Sequence, residues 1–486
     1  MIGLLERIRI LLFVSLLSIP GQGNFAADKI PNPRLNLPDN TVVDLCEFEW
    51  EKPEGEPECG AVTDYSGMVY DPHNQRILLF GGGHSATYSD AIYSFDIKTL
   101  KWSSLYTPTP ASSYQQSNMV NGAWQSGVPG GKYPRPVGRH TYDLLVVPDD
   151  RPELLMLRNG CNFSRAAPLI KNNWAYKGCT GVYNFKNNQW KINPVVPFGG
   201  FVGAAEYDPV SKKVIGTLQQ TICTYDPVSG TSAIIMNGIQ TKYGVSNYAN
   251  SMVYFPPDKK MYVFSTSPKY EGNINVWSLE LNRTDFPLSK VSVLTPKISG
   301  ECLQRNCGFV YDSANKVIGG GVKDNKFYVF DPAALTWTAH TVQGGTPGTM
   351  TFYNIIYDPV NNVYIFIAGG RTWAYRLKKG TGSGASSTDN EAVIKAIREA
   401  TGIEYEKVSE LFNEKGSAKE SVIAVCAAAS ITGLELKELH KSRKKVNTTY
   451  EFLNSLNMDP ETKTKVNDLT KKIKDDILNT GSKVKQ

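Results

Sequence analysis

The chain of 486 residues is too long for one ordinary core, so two or more domains are expected. At 41% hydrophobic and 20% charged its composition is globular, and 42 Gly with 28 Pro suit a turn-rich β protein. The net charge of +6 is small for this length and gives little ground for a nucleic-acid partner, which would gather basic residues on one face.

Arg7 and Arg9 precede the apolar run Ile10 to Ile19, and Pro20 with small residues leads to Ala26-Ala27. That is the order of a secretory signal over residues 1–27, with a run too short for a comfortable membrane span. The expectation is an exported protein, periplasmic or extracellular, with no transmembrane segment once the signal is removed. In an oxidising compartment Cys46 with Cys59, Cys161 with Cys179, and Cys302 with Cys307 are local couples able to form disulfides. Cys223 and Cys426 are left over, and sequence does not fix the connectivity. No couple has CxxC spacing or a histidine at zinc-finger distance, which weakens a metal reading; no cofactor is implied.

From Val62 onward the chain repeats. Tyr70-Asp71-Pro72 ends one apolar strand, Gly81-Gly82-Gly83 follows a second, Phe95-Asp96 ends a third, and Trp102 lies in a fourth. Tyr-Asp-Pro returns at Tyr207-Asp208-Pro209 and Tyr357-Asp358-Pro359, glycines at Gly319-Gly320-Gly321 and Gly369-Gly370, and tryptophan at Trp190 and Trp337. Six units of four short strands follow, and such meanders bury their faces and edges by closing in a ring. The last unit lacks a fourth strand after Leu377, so residues around Thr41 to Trp50 are expected to supply it.

The glycine doublet after an apolar strand, the downstream Tyr and the spaced Trp resemble Kelch repeats and the central domain of galactose-oxidase-like proteins. The resemblance runs from about Val62 to Leu377 and is poor in the third and fourth units, where Gly216-Thr217 and Ser265-Thr266 replace the doublet. It implies a mainly β fold, a six-bladed or alternatively seven-bladed Kelch-type β-propeller over residues 28–377. It says little of function, since propellers of this family serve as enzymes, lectin-like binders and interaction platforms. A copper-radical oxidase site needs two histidines, two tyrosines and a cysteine coupled to one of them; the later units offer no tyrosine-histidine neighbour pair for it.

A Gly/Ser linker over 378–390 leads to a small all-α domain over 391–486, where the apolar period changes to between three and four. Asp459-Pro460 starts one helix, with proline at its tolerated first position. Thr401-Gly402-Ile403 and Thr432-Gly433-Leu434 repeat one another, each opening a helix. The paired helices invite a helix-turn-helix reading, but export and Glu404, Glu406, Glu410 and Glu414 favour a tether or assembly module over a DNA reader.

In a four-strand meander the turns after strands one and three share one face, and those after strands two and four share the other. Tyr-Asp-Pro and Phe-Asp fall on the first face as structural turns, with His73 beside them. The other face gathers His84, the connection carrying Tyr114, Trp124 and Tyr133 into Arg139-His140-Thr141-Tyr142, the two later cysteine loops, Arg305 and Arg371. His84, Arg139, His140, Tyr142, Trp124, Arg305 and Arg371 are therefore the candidate ligand-binding residues. Imidazole can transfer protons or bind metal, arginine can hold a carboxylate, and aromatics can stack on sugars. Arg139 is equally suited to clamp neighbouring blades, and Tyr65, Tyr248 and Tyr353 to line the channel mouth or simply pack there. The expected function is binding of a carbohydrate or protein ligand on this face, without catalysis. The alternatives are a sugar- or glycan-acting enzyme using His84 and His140, and a structural scaffold.

Overall fold

The computed structural model describes residues 29–482 apart from 57–59, 84–85, 116–117, 121–122, 125–134, 158–164, 166–179, 194–202, 219, 246–249, 266–273, 282–285, 293–306, 379–393, 395, 405–406, 409–410, 412–418 and 444–448. The expected signal, and the linker beyond Lys378, lie outside the described residues. Two compact units emerge, Met1–Tyr311 with Ile318–Arg376, and Asp312–Val317 with Leu377–Gln486.

The first unit is mainly β and propeller-like, built of four-stranded antiparallel meanders. In chain order, β1 (Thr41–Glu47) is followed by the first meander, β2 (Gly67–Asp71), β3 (Arg76–Phe80), β4 (Tyr93–Asp96) and β5 (Lys101–Ser104). A small three-stranded sheet, β6 (Met119–Val120), β7 (Ala123–Trp124) and β8 (Arg135–Pro136), lies in the connection to the second meander. That one comprises β9 (Leu145–Val146), β10 (Glu153–Met156), β11 (Thr180–Asn184) and β12 (Gln189–Asn193). The third has β13 (Gly203–Asp208), β14 (Lys213–Leu218), β15 (Thr221–Asp226) and β16 (Thr231–Asn237). After a short helix, α1 (Ile239–Tyr243), the fourth has β17 (Asn250–Phe255), β18 (Lys260–Ser265), β19 (Asn275–Glu280) and β20 (Leu288–Lys290). The fifth has β21 (Phe309–Asp312), β22 (Val317–Lys323), β23 (Lys326–Asp331) and β24 (Thr336–Thr341). The last group is β25 (Met350–Asp358), β26 (Val363–Ala368) and β27 (Arg371–Arg376), and β1 is its fourth strand, Thr41 opposite Arg376 and Glu47 opposite Arg371.

The Tyr-Asp-Pro copies build one turn again and again. The carboxylate of Asp71 accepts from the backbone N–H of His73 and Asn74, Asp208 does the same for Val210 and Ser211, and Asp358 for Val360. Four residues after each aspartate the chain turns left-handed, at Gln75 (φ 51°), Lys212 (φ 57°) and Asn362 (φ 51°). The aspartate satisfies amides that the hairpin bend would otherwise strand.

Apolar cores lie between successive meanders. Leu78, Phe80 and Ile92 of the first pack on Leu154, Met156, Tyr183 and Trp190 of the second, and Ile356, Val363 and Ile365 of the last pack on Met68, Ile77 and Leu79 of the first. Two of the repeated tryptophans tie their outer strand backward. Trp102 donates its indole N–H to Thr372 Oγ1 of β27 at 2.8 Å, and Trp190 donates to Tyr106 Oη at 2.6 Å. Parallel contacts join the starts of successive meanders, Gly67 with Tyr353 and Asp143 with Ala204.

The second unit holds α2 (Lys419–Thr432), α3 (Leu436–Arg443), α4 (Thr449–Ser455) and α5 (Pro460–Ser482). Its core centres on α2, whose residues Val422 to Ala428 are all buried, against Ile397, Leu411, Leu439, Phe452 and Val466. A helix buried all round is the centre of its bundle. Asp459 caps α5, accepting from Thr462 N at 2.9 Å with Pro460 in first position. Among the described residues no helix is long and apolar enough to cross a membrane.

Candidate functional site

Three first strands carry an aromatic residue in the left-handed region just before or near their start: Tyr65 (φ 50°), Tyr142 (φ 46°) and Phe352 (φ 48°). An L-residue there costs about 1–2 kcal/mol, which only over-determining surroundings can hold, and such strain gathers at binding and active sites. Here the surroundings are one another. Tyr142 N–H donates to Tyr65 O at 2.9 Å, and the rings of Tyr65, Tyr142, Phe352 and Tyr353 form one cluster.

His140 completes it. Its ring lies 4.9 Å from that of Tyr65 at 36°, and Tyr65 lies 4.3 Å from Phe352 at 34°, so Phe352, Tyr65 and His140 make a continuous tilted stack. His140 Nδ1 and Tyr142 Oη are 2.9 Å apart, a bond that fixes the imidazole plane. Tyr65 and Phe352 are half-buried, whereas His140 is 3% and Tyr353 1% exposed. The stack thus offers an aromatic edge to solvent.

Next in the chain after Tyr142, and close to Tyr353, stands Asp143. Its Oδ2 accepts from Ser251 Oγ at 2.7 Å and Met252 N at 3.0 Å, while Ser251 Oγ accepts from Phe309 N at 3.0 Å. One carboxylate therefore joins the second, fourth and fifth meanders. Burial pushes its pKa up to about 7, and the bonds from Ser251 and Met252 pull the other way. Burial also raises the Tyr353 phenol, with the Asp143 charge adding to it.

The expected site residues separate. His140 and Tyr142 converge, with Tyr65 and Tyr353 beside them. Arg139 is 0% exposed; its backbone N donates to Gly81 O at 3.0 Å and its Nε to Val137 O at 2.9 Å, so it is a buried tie between neighbouring meanders. Arg371 opens β27, next to the outermost strand, and ion-pairs there with Asp44. Trp124 lies on β7 opposite Met119, and its side chain is outside the described residues. His84 and Arg305 also lie outside them, as do Cys59, Cys161, Cys179 and Cys302. Cys46 is a free thiol in this structure, with its expected partner Cys59 outside the described residues; burial raises its pKa, and it bonds Thr372. Cys307 is buried close to Tyr353. Among the described residues no three His, Cys, Asp or Glu side chains are placed to hold a metal.

Sequence reasoning passed over Asp143, Ser251 and Phe352. The signal was present, since Tyr65, Tyr142 and Phe352 each stand just before or within a first strand. Asp90 is a buried anchor; its carboxylate takes both Thr109 N (2.8 Å) and Thr109 Oγ1 (2.6 Å), with Arg135 at 3.8 Å. Glu56 plays the same part nearby, accepting from Thr87 Oγ1 and Tyr88 N and pairing with Arg165 at 3.3 Å.

No protein-family model and no curated protein matches the chain. Among solved structures it is similar to a protein of unknown function from Bacteroides thetaiotaomicron, at 12% identity and TM-score 0.44, over 69% of this chain and 75% of that one. It is also similar to a gluconolactonase from Xanthomonas campestris, at 10% identity and TM-score 0.36, over 69% of this chain and 88% of that one. At these scores the likeness carries no argument about activity.

Proposed function

We propose that this is an exported six-bladed Kelch-type propeller that binds a carbohydrate on the Phe352–Tyr65–His140 stack, with the helical unit as tether or assembly module. Support for six blades comes from the six successive meanders, the last completed by β1, and from the tryptophans that tie blade to blade. Support for export comes from the order of charged, apolar and small residues over 1–27. The observation that carries the binding reading is the half-buried aromatic stack held on strained backbone. Flat apolar faces with a fixed imidazole beside them suit the C–H faces and hydroxyls of a sugar ring.

Glycan-array screening followed by titration calorimetry tests it. Wild-type protein should bind a defined glycan, and Tyr65→Ala should weaken that binding at least tenfold. A glycan bound equally well by Tyr65→Ala and by Phe352→Ala would refute the assignment.

The His140–Tyr142 bond supports a second reading, a sugar-acting enzyme in which His140 moves a proton. Turnover of the bound glycan, lost in His140→Gln while binding persists, would establish it in place of simple binding.

A further inference from the structure

We propose that the helical unit carries a self-association surface, in which the groove between its two Thr-Gly turns seats a second copy of this chain. The groove, about 670 Å³ in volume, is framed by both copies of an internal repeat. In the first, Gly402 N donates to Arg398 O at 2.8 Å, Thr401 Oγ1 to Ile397 O at 2.6 Å, and Ile403 N to Thr401 Oγ1 at 3.3 Å. In the second, Gly433 N donates to Ala429 O at 2.8 Å, Thr432 Oγ1 to Ala428 O at 2.7 Å, and Leu434 N to Thr432 Oγ1 at 3.3 Å. Gly402 (φ 71°) and Gly433 (φ 70°) close the two helices alike, and Ser430 Oγ donates to Thr401 O at 3.2 Å, holding the turns together.

Each turn then delivers the same chemistry to the groove: an apolar residue, an acid and a base. Ile403, Glu404 and Lys407 come from one, and Leu434, Glu435 and Lys437 from the other, over a floor that includes Leu411 and Ala429. Leu434 is 50% exposed, the most exposed large apolar side chain described in this unit, with Ile431 close by in sequence at 38%. Glu404 and Lys407 pair with each other at 3.3 Å; Glu435 and Lys437 carry no ion pair among the described residues.

The charge pattern selects the occupant. A partner of one sign, such as a nucleic acid or an anionic membrane surface, meets an acid for every base here. A second copy related by a twofold axis meets acid with base and lays Leu434 on the opposing apolar floor. Such a self-complementary patch is the form that closed dimers take.

Sedimentation velocity on the full chain, from about 1 to 300 µM, tests this over the affinity range of modest interfaces. A concentration-dependent shift from monomer to dimer is expected. Leu434→Glu should weaken it at least tenfold, and Lys437→Glu should weaken it in low salt with partial recovery in high salt. Val228→Glu, at an exposed apolar site of the β unit, should leave it unchanged. A monomer throughout the range overturns the proposal, as does a dimer that Leu434→Glu leaves intact or that Val228→Glu abolishes. Unchanged far-ultraviolet circular dichroism shows that each variant is folded.

Discussion

The His140 imidazole fills the space that a side chain on Gly83 would need: a Cβ there would stand 1.5 Å from Cδ2 and 2.4 Å from Nε2. The last glycine of the first repeat's run is thus the seat of a histidine from the next meander. Gly83→Ala should expel the ring, break its contact with Tyr65, and destabilise the protein by about 1–3 kcal/mol through overpacking. Chemical denaturation gives the stability, and glycan titration should show the same loss as Tyr65→Ala.

Asp143 should make stability depend on pH. Its folded pKa of about 7 lies above its ordinary value of 3.8, so the folded state holds a proton that the unfolded state has released between those values. Its contribution is full below about pH 4 and is lost as pH rises through 7. Asp143→Asn should therefore gain on wild type between pH 5 and 8, by about 1–3 kcal/mol, since each tenfold difference in proton affinity between the two states is worth roughly 1.4 kcal/mol. Denaturant midpoints across that window measure it; parallel profiles for the two proteins would remove Asp143 as the cause. Glu206, which burial pushes up to about 8, adds a slope of the same sign, so some dependence should persist in the variant.

The repeated turn allows a paired test at one hairpin. Asp208→Ala removes the acceptor for Val210 N, Ser211 N and Ser211 Oγ and should cost about 1–2 kcal/mol. Lys212→Gly, four residues on at φ 57°, should raise stability by about 0.5–1 kcal/mol by relieving a left-handed L-residue. The exposed Lys212–Asp150 pair lost with it is worth little. Thermal unfolding should place the two variants on opposite sides of wild type.

Trp102 reports on the junction between the first and last meanders. Trp102→Phe keeps most of the packing against Phe48 and Phe95 but loses the bond to Thr372, for an expected cost of about 1 kcal/mol. Trp102→Ala should cost about 3–5 kcal/mol. Equal losses in the two variants would mean that the indole N–H, and not the ring, holds this junction.

The strand pattern was legible because alternating apolar residues and Tyr-Asp-Pro turns are local in sequence; the sixth group's need for a borrowed strand followed from counting. The glycine runs were less uniform than they looked. Gly81 admits no Cβ because Ser66 Oγ and Val62 O lie within 2.1 Å of that position, whereas Gly369 and Gly370 simply form a tight hairpin turn at φ 57° and 72°. Face assignment put His140 and Tyr142 on one side of the fold, and their side chains meet at 2.9 Å, but the burial of Arg139 and His140 alike is not written in any local pattern. Asp143 and Ser251, 108 positions apart, meet only through the closure of the inner strands, and no spacing rule reaches that far.

The strand borrowed from the chain's beginning also has a bearing on the order of assembly. Asn40 Oδ1 waits for the Tyr375 hydroxyl, 335 positions later, and β1 meets only late residues, bridging Gln343 through Thr41 and pairing along its length with β27. A ribosome delivers the latch first and the catch last. Five meanders can pair internally as they emerge, but the seam between β1 and β27 is shut only when that last strand returns to the earliest one.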